Sequence, residues 1–133
     1  MTPFILAADD DETWRELVPL WIRSNGWEAA TVSCGADVIP TALKRRPDCI
    51  VLDHELGDTT GMEVCAKLKA HPQLRNVPVI VFTTMADQMI KIVEGGRPDH
   101  FVVKDGRPEE LLAVIESLLP GFEPPPVSFK DPT

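Results

Sequence analysis

Four short, unbroken apolar runs, separated by segments of helical periodicity, leave few folds open to this chain. They are Phe4-Ile5-Leu6-Ala7-Ala8, Cys49-Ile50-Val51-Leu52, Val79-Ile80-Val81-Phe82 and Phe101-Val102-Val103. A strand with one wet face alternates apolar and polar residues. A run with no polar residue reads as a strand covered on both faces, as in a parallel sheet. With a shorter strand at Glu28 to Val32, the expected strands are 4–8, 28–32, 48–52, 77–82 and 100–103. Helices are expected at 11–24, 36–45, 61–70, 86–94 and from Pro108 to about Leu119. Strict alternation implies right-handed crossovers and helices on both sheet faces, a three-layer α/β domain.

Local signals set the boundaries. Trp14, Leu17, Val18, Trp21 and Ile22 share one face of the first helix, which Asn25-Gly26 should end. His71-Pro72 stops the third helix, and Pro108-Glu109-Glu110 is a favoured opening turn for the last. Pro19 and Pro40 fall inside predicted helices, so those helices are expected to kink or to begin later. From Pro120 onward the sequence is Pro-rich and without period. The expected division is a folded unit over 1–119 and an extended tail over 120–133.

Each apolar run ends in a residue able to handle a metal or a phosphate. The first runs into Asp9-Asp10, the second into Asp53, the third into Thr83 and the fourth into Lys104. Ligands of open parallel sheets sit just outside the carboxyl ends of the strands, so these side chains should meet. Asp9, Asp10 and Asp53 together would repel one another. Mg²⁺, which prefers oxygen ligands, resolves that repulsion. An Asp carboxylate beside it can attack phosphorus and form an acyl phosphate. Lys104 and the Thr83 hydroxyl would then cover the remaining phosphoryl oxygens.

Taken in order, five segments resemble the receiver domain of two-component response regulators, and the resemblance spans Phe4 to Leu119. They are Ile5 to Asp11, Ile50 to Asp53, Gly61-Met62-Glu63-Val64, Val77 to Thr83 and Phe101 to Lys104, with Gly61 eight residues after Asp53. The resemblance implies a flavodoxin-like, doubly wound (βα)5 fold with parallel strand order 2-1-3-4-5. It implies Asp53 as phosphoacceptor, and Asp9, Asp10, Asp53 and the Glu55 backbone carbonyl as Mg²⁺ ligands. Thr83, Thr84 and Lys104 would face the phosphoryl group, and Phe101 would be the aromatic residue that changes rotamer on activation. The implied partners are a sensor histidine kinase or a histidine phosphotransfer protein, and a downstream protein docking on the fourth helix, fifth strand and fifth helix. A stand-alone receiver is expected, neither a turnover enzyme nor attached to an output domain. The alternative is a receiver-like adaptor that binds its partner without phosphorylation. A Mg²⁺-dependent phosphohydrolase using Asp53-His54-Glu55 lacks the stricter first-strand motif and the cap of such enzymes.

Several positions depart from the family pattern. Asp105 stands where a cis proline usually follows the lysine. A non-proline cis bond costs ~3–4 kcal/mol, so a trans turn that displaces Lys104 is expected, with Asp105 competing for its ammonium. The loop Glu55 to Thr60 lacks a usual proline and carries extra acid, and Arg97-Pro98 replaces a small pair. Thr84, where a small residue is common, should narrow access to the phosphoryl group.

Charge and cysteine usage close off other classes. Thirteen basic residues against 21 acidic ones give a net charge of −8, which repels nucleic acid. The only basic cluster, Lys44-Arg45-Arg46, lies at a helix end. No apolar stretch approaches the ~18–20 residues of a membrane span. Met1-Thr2-Pro3 does not resemble a secretory signal. Cys34, Cys49 and Cys65 show no metal spacing and read as reduced packing thiols, so a cytoplasmic location is expected.

Overall fold

The computed structural model describes residues 2–84, 98–105 and 107–121. Five strands, β1 (Phe4–Ala8), β2 (Glu28–Val32), β3 (Cys49–Leu52), β4 (Val79–Thr83) and β5 (His100–Val103), form one sheet in the order β2-β1-β3-β4-β5. All neighbouring pairs are parallel. The helices are α1 (Glu12–Ser24), α2 (Val38–Lys44), α3 (Gly61–Ala70) and α4 (Pro108–Leu118). The expected flavodoxin-like order is therefore observed. The predicted helix over 86–94 lies outside the described residues, as does the tail beyond Gly121.

Burial follows from sheet position. Every residue of β1, β3 and β4 is buried, whereas the edge strands β2 and β5 carry exposed positions. Successive side chains of a strand point to opposite faces. Ile5, Ala7, Cys49, Val51, Ile80 and Phe82 thus pack with Val18 and Ile22 of α1 and with Leu111 and Ile115 of α4. Leu6, Ala8, Ile50, Leu52 and Val79 pack with Val38 and Ala42 of α2 and with Val64 and Leu68 of α3. The result is two cores separated by one sheet. Cys49 and Cys65 are buried in these cores outside any disulfide, and burial pushes their thiols up to about 12 and about 11 respectively. Thiols so rarely ionised behave as small apolar groups.

Several boundaries differ from the sequence reading by one or two residues, and three of them have a visible cause. The second helix opens as a 3₁₀ turn, Gly35–Asp37, before α2 begins at Val38. Pro40 then falls in the first α-turn, where a missing N–H is tolerated. The fourth strand begins at Val79 rather than Val77. Pro78 has no N–H to give a ladder, and the Val79 N–H goes to the Asp99 carboxylate at 2.8 Å. The same strand takes in Thr83, whose carbonyl accepts from the Lys104 N–H at 2.9 Å. Helix α1 continues through Pro19, which is buried within it. Among the described residues, no helix is long and apolar enough to cross a membrane.

Candidate phosphoryl and metal site

Four strand ends meet where the sheet delivers them. Backbone ladders carry just past the strands: the Asp9 N–H donates to the Val32 carbonyl at 3.2 Å, and the Asp53 N–H to the Ala8 carbonyl at 3.0 Å. Asp9, Asp53, Thr83 and Lys104 are consequently all buried polar residues, none more than 9% exposed. A buried charge is tolerated only with a partner. The Lys104 ammonium serves as partner to two carboxylates at once. Its Nζ lies 2.6 Å from Asp9 Oδ2 and 3.3 Å from Asp53 Oδ1.

Asp10 is exposed at the mouth, and oxygens of Asp9, Asp10 and Asp53 all lie within 4.8 Å of one another. Asp9 is fixed from the other side, because its Oδ1 accepts from the Asp11 N–H at 3.0 Å. The Arg15 guanidinium donates to the Asp9 carbonyl at 3.1 Å. Asp11 caps α1, accepting from the Trp14 N–H at 3.2 Å, as expected of an acidic residue at a helix start. Burial pushes the Asp53 carboxyl up to about 6; Lys104 pulls it down and the Asp9 charge pushes it further up. One ammonium does not neutralise three carboxylates, so the cluster retains an anionic excess made of hard oxygen donors. Such a set fits a divalent cation of the Mg²⁺ kind.

The eight-residue spacing from Asp53 to Gly61 has a steric cause. The Gly61 N–H donates to the His54 carbonyl at 2.7 Å, and a Cβ on Gly61 would overlap the Asp53 carbonyl oxygen. Glu55 bridges to Thr60 across this loop, and the Leu56 side chain between them is buried. Gly57 turns the chain with φ +80°, where a side chain is strained and where a Cβ would come within 3.5 Å of Asp10 Oδ2. The extra acid of the loop, Asp58, accepts from the Gly35 and Ala36 N–H groups at 2.8 and 2.9 Å and so ties the loop to the 3₁₀ turn. Its role depends on a contact 22 residues away, which local sequence does not signal.

Thr84 is exposed next to buried Thr83. Phe101 is half-buried, pairs with Val81 in the sheet, and stands three residues before Lys104 on the opposite pleat from Val102. It is therefore not among the clustered groups. His54 is half-buried, and its Nδ1 has no hydrogen-bond partner among the described residues.

Two expectations drawn from Asp105 are corrected. Among the described residues no peptide bond is cis, so the turn after Lys104 is trans, yet Lys104 reaches both carboxylates. Nor does Asp105 compete for the ammonium. Its carboxylate accepts from the Arg107 backbone N–H at 3.0 Å and guanidinium at 3.0 and 3.2 Å, which holds the carboxyl below its usual range.

Periodicity places Trp14 on the apolar face of the first helix, as a packing residue. The structure puts its ring 4.9 Å from Lys104 Nζ and edge-to-face with Phe82, whose ring lies 5.6 Å from the same nitrogen. The available signal was its position one turn past the acid pair, on the apolar face of α1.

The family model of the response regulator receiver domain matches residues 5–116. The transcriptional regulatory protein GltR of Pseudomonas aeruginosa is 32% identical over 86% of this chain and 48% of its own length. The chain spans about half the length of the curated relatives it matches. Among solved structures, the chemotaxis response regulator CheY4 of Vibrio cholerae is 25% identical with a TM-score of 0.81, over 90% of this chain and 100% of that one. The response regulator TrrA of Thermotoga maritima, solved in complex with Mg²⁺ and BeF, is similar in fold at 24% identity and a TM-score of 0.81, over 89% and 100%.

Proposed function

Because the chain belongs to the response regulator receiver family of two-component signalling, we propose that Asp53 accepts a phosphoryl group from a phosphohistidine. The donor would be a sensor histidine kinase or a histidine phosphotransfer protein. The observation that carries this reading is Lys104 Nζ at 2.6 Å from Asp9 and 3.3 Å from Asp53, an ammonium held beside the one carboxylate that closes β3. A carboxylate oxygen of Asp53 attacks phosphorus, the P–N bond to the donor imidazole breaks, and the imidazole leaves with the bonding pair. The product is an acyl phosphate on Asp53.

Positioning and charge neutralisation do most of the work in such a transfer. Asp9, Asp10 and Asp53, with the Glu55 carbonyl, would hold Mg²⁺, as the hard oxygen donor set favours. Bound there, Mg²⁺ supplies positive charge to the phosphoryl oxygens. Lys104 gives a second cation by turning from Asp53 to a phosphoryl oxygen, and Thr83, with Thr84 beside it, gives a hydroxyl. The relative TrrA, solved with Mg²⁺ and BeF, is in keeping with this assignment.

Phosphorylation would draw Thr83 inward and let Phe101 follow, re-presenting a face made by the segment before β5, by β5 and by α4. We assign the receiver to 1–119 and the Pro-rich tail to 120–133, and read the output as docking of a protein in the cytoplasm, not a turnover reaction. A net charge of −8 argues against direct contact with nucleic acid by the receiver itself. The adaptor reading rested on Asp105 and the loop. With Asp105 paired to Arg107, the first of these no longer favours it. Mass spectrometry after incubation with Mg²⁺ and a small-molecule phosphodonor tests the proposal. A phosphoryl adduct that vanishes in Asp53→Asn is expected; an unmodified wild type, or an adduct that persists in the variant, overturns it.

A further inference from the structure

We propose that Trp14 is a positioning residue for Lys104, its ring face standing in for the water that a buried ammonium would otherwise need. The inference rests on the phosphoryl-site reading above. Lys104 has three N–H donors and a side chain only 4% exposed. Asp9 and Asp53 lie 2.6 and 3.3 Å from Nζ. The Trp14 and Phe82 rings lie 4.9 and 5.6 Å from it. The two rings meet edge-to-face with centroids 5.5 Å apart, and Trp14 meets Trp21 in the same way at 5.8 Å, so its ring is held by aromatic contacts with both. A ring face attracts a cation most strongly where water is excluded.

The placement follows from the chain. Asp9-Asp10 follow β1, Asp11 caps α1, and one turn past Asp10 the helix carries Trp14, over whose ring the Lys104 ammonium lies. Phe82, next to last in β4, and Lys104, just past the end of β5, complete the group. The ring keeps the ammonium from swinging away from Asp53, toward which an incoming phosphoryl oxygen must find it.

Two measurements test this. In the metal-free protein, the Lys104 ammonium protons should exchange slowly enough to give a ¹⁵N-correlated NMR signal. That signal should persist in Trp14→Phe and be lost in Trp14→Met. Affinity for beryllium fluoride in saturating Mg²⁺ should fall about tenfold in Trp14→Met and by less in Trp14→Phe, which keeps a weaker ring face. Should Trp14→Met not fold, fluorinated tryptophans placed at position 14 keep the shape and weaken the ring face stepwise. Both readouts should then fall with fluorination. An ammonium signal or a beryllium fluoride affinity that ignores these changes overturns the inference. If the wild type binds no beryllium fluoride while its ammonium signal still depends on Trp14, the phosphoryl reading fails and the positioning of Lys104 stands.

Discussion

Lys104 sits closer to Asp9 than to Asp53, 2.6 Å against 3.3 Å, so the ammonium is shared unequally between two buried carboxylates. The less favoured partner is the one whose carboxyl rises to about 6. Burial raises that carboxyl and the longer of the two Lys104 contacts offsets it only in part, so Asp53 stands to gain from any added cation.

Removing the ammonium should expose how much the two carboxylates depend on it. Breaking a buried pair by deleting one partner typically costs ~3–5 kcal/mol, because an uncompensated charge stays behind. Lys104→Met should therefore lose stability of that order at pH 7.5 in urea denaturation without Mg²⁺. Millimolar Mg²⁺, or a pH low enough to protonate Asp53, should return part of the loss. A variant as stable as wild type at pH 7.5 would show that Lys104 does not stabilise the pair.

The raised carboxyl of Asp53 makes stability depend on pH with a definite sign. A folded value of about 6 against an ordinary 3.8 means that folding favours the protonated form. Its contribution is fully present below pH 3.8 and is lost as pH rises through about 6. A shift of that size is worth up to ~3 kcal/mol. Asp53→Asn removes this dependence. Without metal, the stability of the variant relative to wild type should therefore rise from pH 4 to pH 7 by up to ~3 kcal/mol. Urea titrations of both proteins across that range check it; a difference that stays flat, or falls, contradicts the argument.

Much of this is legible in the amino-acid sequence. Unbroken apolar runs mark β1 and β5, and the Asn25-Gly26 turn before it marks β2, so those three strands match the expected bounds. The same logic anticipated that Asp9, Asp10, Asp53 and Lys104 would converge. What escaped was set by pairings far apart in sequence. Asp99 takes the Val79 N–H across 20 residues and so helps set where β4 starts. Asp58 takes the Gly35 N–H across 23 residues, and Trp14 faces a lysine contributed by another strand end. The turn after Lys104 was read from Asp105 alone, while the partner that decides it is Arg107.

Gly61 offers a test of the loop that carries Asp53. A Cβ there would overlap the Asp53 carbonyl oxygen and crowd the His54 Cα, both backbone atoms that cannot rotate away. Gly26 also lacks freedom for a side chain, at φ +83°, but has open space around it. Gly61→Ala should cost ~2–3 kcal/mol or more, as overpacking against backbone does, whereas Gly26→Ala should cost only ~1 kcal/mol of backbone strain. Thermal and urea denaturation of the two variants compare them directly, and equal losses would remove the steric account of the Asp-to-Gly spacing.

Cation binding should follow the same titration in reverse. A metal ion at Asp9, Asp10 and Asp53 competes with the proton that Asp53 holds below about 6. Ligand that binds only the folded state stabilises it by RT ln(1 + [L]/Kd), so ten- to a hundredfold excess over Kd gives ~1.4–2.7 kcal/mol. Millimolar Mg²⁺ should therefore raise Tm at pH 7.5, and the rise should shrink steadily as pH drops through 6 and nearly vanish by pH 4.5. Chelation with EDTA should reverse it at every pH. Asp10→Ala, which removes the exposed ligand while leaving the buried Lys104 pair intact, should abolish most of the Mg²⁺ effect with little change in metal-free stability. A Mg²⁺ shift that is independent of pH, or that survives Asp10→Ala, would place the cation elsewhere on this acidic chain.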